Sequence, residues 1–281
     1  MKTGLVLEGG GLRDLFTAGI LDVMMENNLH FDGIIGVSAG ATFGCNYKSH
    51  QIGRSLRYNK LMSKEWRYCS VRSWIQTGDL VGAEYAYHTL PNEIDIFDNE
   101  TFKQDPTEFC IVCTDANTGK PVYKRIETFD YEGLEWLRAS ASLPIVSTPV
   151  KVGGYTLLDG GISNSIPLEY WQSEGYERNI VILTQPSGFV KKPTKLMPLF
   201  HIFSRKYPAI IQAMARRHEM YNGQLAFLEQ AVKAGNTLLL CPENPIAIGR
   251  TEMNPEKMQR VYDDGYAYGL AHLEEIKDFL R

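Results

Sequence analysis

Cysteine is scarce in this 281-residue chain: five residues, at positions 45, 69, 110, 113 and 241. An odd, sparse set excludes a disulfide framework and reads as reduced thiols in a cytosol. Cys110-Ile-Val-Cys113 lacks a second cysteine pair and lies in a strand-like run, which reads as buried small hydrophobes rather than zinc ligands. Long apolar runs are also missing, so no segment reaches the length of a transmembrane helix. Met1-Lys2-Thr3 leads into the first apolar segment with no charged n-region or cleavage site before it. The expectation is a cytoplasmic protein, soluble or peripheral to a membrane. A charge excess is absent as well: 29 Lys and Arg against 33 Asp and Glu leave a net charge of −4, which excludes nucleic acid as an expected partner. No internal repeat, low-complexity segment or clear linker interrupts the chain. With 44% hydrophobic and 22% charged residues it is an ordinary globular sequence, and a single domain over 1–281 is the simplest reading.

What is present is organised from the start. Thr3 to Glu8 reads as a buried strand, and Leu12, Leu15, Phe16, Ile20, Val23 and Met24 then follow helical spacing. Asn27-Asn28 ends that helix, Phe31 to Val37 is a second strand, and another helix start follows. Two strand–loop–helix units in succession predict a sheet of parallel strands with helices on its faces. Residues 41–105 are less regular. Further on, Phe109–Cys113 and Val122–Ile126 read as a hairpin, Tyr131–Ser142 as a helix, and Tyr155–Leu158, Asn179–Thr184 and Thr237–Cys241 as strands. Pro208–Ala234 is a long helical pattern, and Asn254-Pro255-Glu256 has the N-cap, first-position proline and early acid that open another.

Three short motifs carry chemistry. Gly36-Val37-Ser38-Ala39-Gly40 follows the second strand, as a nucleophile elbow does. Gly36 and Gly40 flank the serine because the turn is tight and its neighbours pack backbone on backbone. Ser38 would stand near a helix N-terminus, where developing negative charge is favoured. Upstream, the N–H groups of Gly9, Gly10, Gly11 and Leu12 open a helix and could hold the oxyanion of a tetrahedral intermediate, with Arg13 supporting them. A dinucleotide-binding loop fits poorly, because Asp14 stands where that fingerprint needs Gly or Ala.

Acyl transfer also needs a base. Of the six histidines, His272 lies inside a helical pattern and His201 in a proline-bounded segment, and neither reads as a post-strand catalytic histidine. Asp159 ends a strand, and Gly160-Gly161 let the backbone turn. A buried apolar site could raise its pKa and make a Ser38–Asp159 dyad workable. Asp159 could equally do no more than cap a turn.

Taken in order, the glycine loop, the elbow and Asp159-Gly160-Gly161 resemble the patatin-like phospholipases, as does Ala139-Ser140-Ala141-Ser142-Leu143-Pro144. Ser38 lies 27 residues after Gly11 and 121 before Asp159. The likeness covers residues 4–171, with 172–281 completing or flanking that core. It implies an α/β fold, a three-layer α/β/α sandwich around a mainly parallel sheet. It also implies hydrolysis of lipid acyl esters by a Ser–Asp dyad without metal or cofactor. One departure is Asp14, where the family has glycine; a carboxylate there is expected to pair with Arg13 or to oppose charge at the oxyanion loop. A protein of the same fold that binds acyl chains with little turnover, and a histidine-dependent esterase, are the alternatives.

Residues 178–218 hold eight Lys or Arg and no acid, interleaved with Leu196-Met197-Pro198-Leu199-Phe200. The segment reads either as a solvated surface or as a flap meeting anionic lipid headgroups.

Overall fold

The computed structural model describes residues 1–281. β1 (Thr3–Leu7) runs through the glycine loop and one tight turn at Gly11–Asp14 into α1 (Leu15–Glu26), and β2 (Gly33–Val37) turns directly into α2 (Ala39–Lys48). α3 (Arg54–Leu61), α4 (Val71–Thr77), a wide i→i+5 helix over Tyr85–Ile94 and α5 (Asn99–Gln104) form the irregular region. β3 (Glu108–Asp115) and β4 (Pro121–Arg125) make the expected hairpin, followed by α6 (Tyr131–Ser140), β5 (Val150–Val152), β6 (Tyr155–Asp159) and α7 (Leu168–Ser173). β7 (Arg178–Ile182), α8 (Met197–Phe203), α9 (Pro208–Lys233), β8 (Thr237–Leu240), α10 (Pro255–Ala271) and α11 (Leu273–Leu280) complete the chain. No helix is long and apolar enough to cross a membrane.

All eight strands join one sheet, parallel from β3 through β2, β1 and β7 to β8 and antiparallel where β4, β5 and β6 attach. The central strands are buried on both faces, which is why they read as continuous apolar runs. Their side chains alternate between two cores. Leu5, Leu7 and Ile34 face α1 and α2, while Val6, Ile35, Val37 and Val112 meet Trp171 of α7 and Tyr221 of α9. The result is the three-layer α/β/α arrangement. Cys110 and Cys113 are buried in opposite cores, so they cannot grip one ion together.

The register of β3 positions the site. Gly36 and Lys124 both pair with Ile111, so β2 and β4 lie on opposite edges. Val122 and Asp159 both pair with Cys113, so β6 takes the edge that β2 occupies. β2 stops at Val37, opposite Val112, and β6 begins its pairing with Asp159, opposite Cys113. The residue after β2 and the last residue of β6 therefore meet end to end.

The C-terminal segment closes the other side. Asn254 caps α10 by accepting the Glu256 and Lys257 N–H groups, both at 3.0 Å. α10 then crosses α1 backbone on backbone: a Cβ on Gly265 would lie 2.0 Å from the Phe16 carbonyl, and one on Gly19 2.4 Å from that of Tyr262.

Candidate active site

Ser38 sits on the turn between β2 and α2 with φ 55° and ψ −125°, a strained conformation for a residue with a side chain. The flanking glycines are required by space. A Cβ on Gly36 would lie 2.6 Å from the Ala41 Cα, and one on Gly40 2.6 Å from the carbonyls of Leu7 and Glu8. Gly9 is equally confined: a Cβ there would lie 2.5 Å from the Val37 carbonyl and 2.6 Å from the Ser38 Cβ, so the glycine loop lies directly against the elbow. The Ser38 N–H donates to Ser140 Oγ at 2.9 Å, and Ser140 Oγ donates to the Val112 carbonyl at 2.7 Å.

Asp159 is 3% exposed. Its Oδ1 accepts the Gly161 N–H at 2.8 Å, whereas Oδ2 is buried with no hydrogen-bond partner. Burial pushes its pKa above the usual carboxylate range, against the nearby Ser38 hydroxyl, the Gly161 N–H and the charges of Arg217 and Arg250. Ser38 thus stands close to the carboxylate without a hydrogen bond of standard geometry, a looseness common before substrate binds. Gly160 packs under this turn, where a Cβ would lie 2.2 Å from the Val112 carbonyl. His88 instead pairs with Glu135 at 2.9 Å, and His272 bonds the Tyr268 carbonyl at 2.9 Å. No histidine lines the cavity that Ser38 and Asp159 share.

The glycine loop departs from expectation at one residue. The Leu12 N–H donates to the Arg250 carbonyl at 2.9 Å, so it is already committed. The N–H groups of Gly9 and Gly11 have no acceptor within the protein, and Gly11 takes φ 65°, which glycine allows. Arg13 supports the loop through its Nε, which donates to the Gly10 carbonyl at 3.2 Å.

Asp14 departs further. It neither pairs with Arg13 nor lines the cavity; it is fully buried and both carboxyl oxygens lack partners. Burial first, then the charge of Glu8, drive its pKa well above the usual range and so favour the neutral acid. A neutral carboxyl sets no negative charge against the loop. Glu8 is held by Tyr221 Oη at 2.6 Å and by the N–H and hydroxyl of Thr184 at 2.7 and 3.1 Å.

Behind Ser38 a cavity of about 180 Å³ extends between aromatic and aliphatic side chains, among them Phe43, Tyr58, Leu90, Phe97, Phe129 and Leu137. Most come from the irregular 41–105 region, whose function was not readable from its sequence. Arg54, Arg217 and Arg250 also line the cavity. Arg217 Nε donates to the Gly161 carbonyl. Two members of the basic 178–218 stretch, Lys191 and Arg217, are thus half-buried near the site rather than on an open flap. Their sign bias was visible in the sequence; their position was not.

The chain is similar to several known proteins. Uncharacterized protein YjjU of Escherichia coli is 29% identical over 209 residues, covering 68% of this chain and 54% of its own length. Lysophospholipase NTE1 of Eremothecium gossypii is 27% identical over 290 residues, covering 98% of this chain and 18% of its own. The chain therefore spans about half of the first relative and under a fifth of the second. The crystal structure of VipD from Legionella pneumophila aligns with 98% of this chain and 67% of its own at TM-score 0.48 and 12% identity. A model for a domain of unknown function matches residues 207–281. The patatin-like phospholipase model matches residues 5–170, more than half of the chain, and the protein belongs to that family.

Proposed function

We propose that this protein is a serine hydrolase of lipid acyl esters, with Ser38 as nucleophile, Asp159 as the single general base and the Gly9–Gly11 backbone as oxyanion donor. The observation that carries the reading is a strained serine facing a buried, proton-hungry aspartate at the mouth of an apolar cavity, with no imidazole beside it. Ser38 Oγ attacks the ester carbonyl as Asp159 takes its proton. The oxyanion is met by loop N–H groups, each such donor being worth about 10²–10³ in rate. Asp159 returns the proton to the departing alcohol, leaving an acyl-serine. Water then attacks, Asp159 again accepts a proton, and the fatty acid leaves as Ser38 is reprotonated.

The apolar cavity suits an acyl chain. Membrane-surface contact is part of the proposal. Exposed Leu199, Ile202 and Phe203 of α8 continue through a Phe203–Trp74 ring contact at 6.5 Å to exposed Val71 and Ile75 of α4, and exposed Lys192, Lys195, Arg205 and Lys206 flank α8. A cytoplasmic location is consistent with five free thiols. Residues 1–281 are proposed to form one domain, since β8 extends the sheet and α10 packs on α1.

A fluorophosphonate probe followed by peptide mapping should label Ser38, and Ser38→Ala should lose hydrolysis of a short-chain aryl ester. Label elsewhere, with an active Ala variant, refutes the assignment. A folded wild-type protein that binds fatty acid but cleaves no ester would establish the lipid-binding alternative instead.

A further inference from the structure

The C-terminal third gives one wall of the Ser38 cavity an unusual character. Arg217, on α9, stands beside Gly161 and Asp159, its guanidinium 3.3 Å from where a Gly161 Cβ would be. Arg250 stands beside the glycine loop, its Cβ 3.0 Å from where a Gly11 Cβ would be. Lys191 does not itself line the cavity; it holds its ammonium 4.0 Å from the centre of the Tyr221 ring, within electrostatic reach of both arginines. Arg217 and Arg250 both disfavour the charge on Lys191, which burial first and then the two arginines lower to about 7, and burial and Arg250 likewise disfavour the charge on Arg217.

None of the three is within 4 Å of a carboxylate. The acids within electrostatic reach are otherwise engaged. Glu8 is bonded to Thr184 and Tyr221, Asp159 to Gly161, and Asp14 is buried under the loop in a setting that favours its neutral form. Lys191 and Arg217 are half-buried and Arg250 is exposed, and like charges gathered in this way around partly buried groups are costly unless an anion joins them. Arginine forks match phosphate oxygens in particular. The apolar side of the cavity is suited to the acyl chain, which leaves this wall to the alcohol part of the ester.

We propose that Lys191, Arg217 and Arg250 form a seat for a phosphate group on the alcohol portion of the substrate. Residues 207–281 then supply two of the three cations, and they select phosphate-bearing acyl esters over neutral ones. The inference rests on the acyl-hydrolase reading.

The test compares two monomeric esters with the same acyl chain, 1-acylglycerol 3-phosphate and neutral 1-acylglycerol. Wild type should favour the phosphate ester in kcat/KM by at least about tenfold, the equivalent of one charge-assisted contact. The ratio should shrink with added salt. Arg250→Gln and Lys191→Gln should each lower it, and the double variant should bring it near one. Arg217 is left in place because it also holds the Gly161 carbonyl. Inorganic phosphate should compete with the neutral ester in wild type and less so in the double variant. A wild-type ratio near one, or a ratio the double variant does not move, overturns the proposal. So does inhibition by inorganic phosphate without any preference for the phosphate ester, which would mean a site for the free anion. If neither ester is cleaved, the hydrolase reading fails on its own. The seat is then read by titrating Ser38→Ala protein with both lipids: tighter binding of the phosphate lipid, lost in the double variant, sustains it, and equal binding sinks it.

Discussion

Ser140 Oγ accepts the backbone N–H of Ser38 at 2.9 Å across 102 residues of sequence and donates its own O–H to the carbonyl of Val112 at 2.7 Å. One buried hydroxyl thus ties the end of α6 to the elbow and to β3. It lets the strained serine keep its φ of 55° while its N–H stays satisfied.

Ser140→Ala should lower stability by about 1–3 kcal/mol, because it strands a buried donor and a buried acceptor together. It should also lower kcat on an aryl ester more than it raises KM, since the elbow loses its anchor. Urea unfolding and steady-state kinetics on one preparation check both. Unchanged kcat in a destabilised variant would show that the elbow holds its shape alone.

The acid limb of kcat/KM on an uncharged ester should lie above the ordinary carboxylate value of about 4. Asp159 must be ionised to act as base, and burial raises its pKa in the folded protein. Activity therefore falls as pH drops through that raised value. Asp159→Asn should abolish turnover in a folded protein. A limb at or below 4 would mean that another group sets the profile.

Asp14 should make the protein less stable as pH rises. Its folded-state pKa is raised, so between the ordinary carboxylate value and the raised one the native state holds a proton that the unfolded chain gives up. Stability is full below that window and is lost on rising through it. Asp14→Asn keeps the shape without the ionisation, so its Tm advantage over wild type should grow from pH 4.5 to pH 8. A constant difference would count against a buried acid.

Two glycine substitutions should act in opposite directions. Gly265→Ala forces α10 from α1 and should cost about 1–3 kcal/mol or more. Gly223→Ala, in α9 with nothing within 4 Å of its new Cβ, should gain about 0.5–1 kcal/mol of helix propensity. Chemical denaturation of both reads the contrast, and equal effects would contradict the packing.

Much of this was written locally in the sequence. The central strands of the sheet are short, continuous apolar runs, and the glycines at 9, 36 and 40 mark where backbones touch. Leu12 could not be read locally, because its N–H is taken by a carbonyl 238 residues later. Asp14 reads as an acid of a first helical turn that pairs with Arg13 or faces the loop; only the packing over it from other parts of the chain buries it. β5, at three residues, is too short to show a period. The wide helix at Tyr85–Ile94 contains Pro91 and follows neither common spacing.

The pairing of β2 and β6 along one edge of β3 gives the molecule a particular kind of freedom. Backbone hydrogen bonds within the sheet, with the Ser140 tie to Ser38 and the Asp159 N–H donated to the Ser142 carbonyl at 2.8 Å, set how far Ser38 stands from Asp159, and the 41–105 region makes none of these bonds. The 41–105 region, which walls the cavity, can lengthen, shorten or change its side chains while that separation stays constant. Substrate range and bond-breaking are thereby written in different stretches of sequence, so descendants of one ancestor could change what they accept without relearning how to cut it.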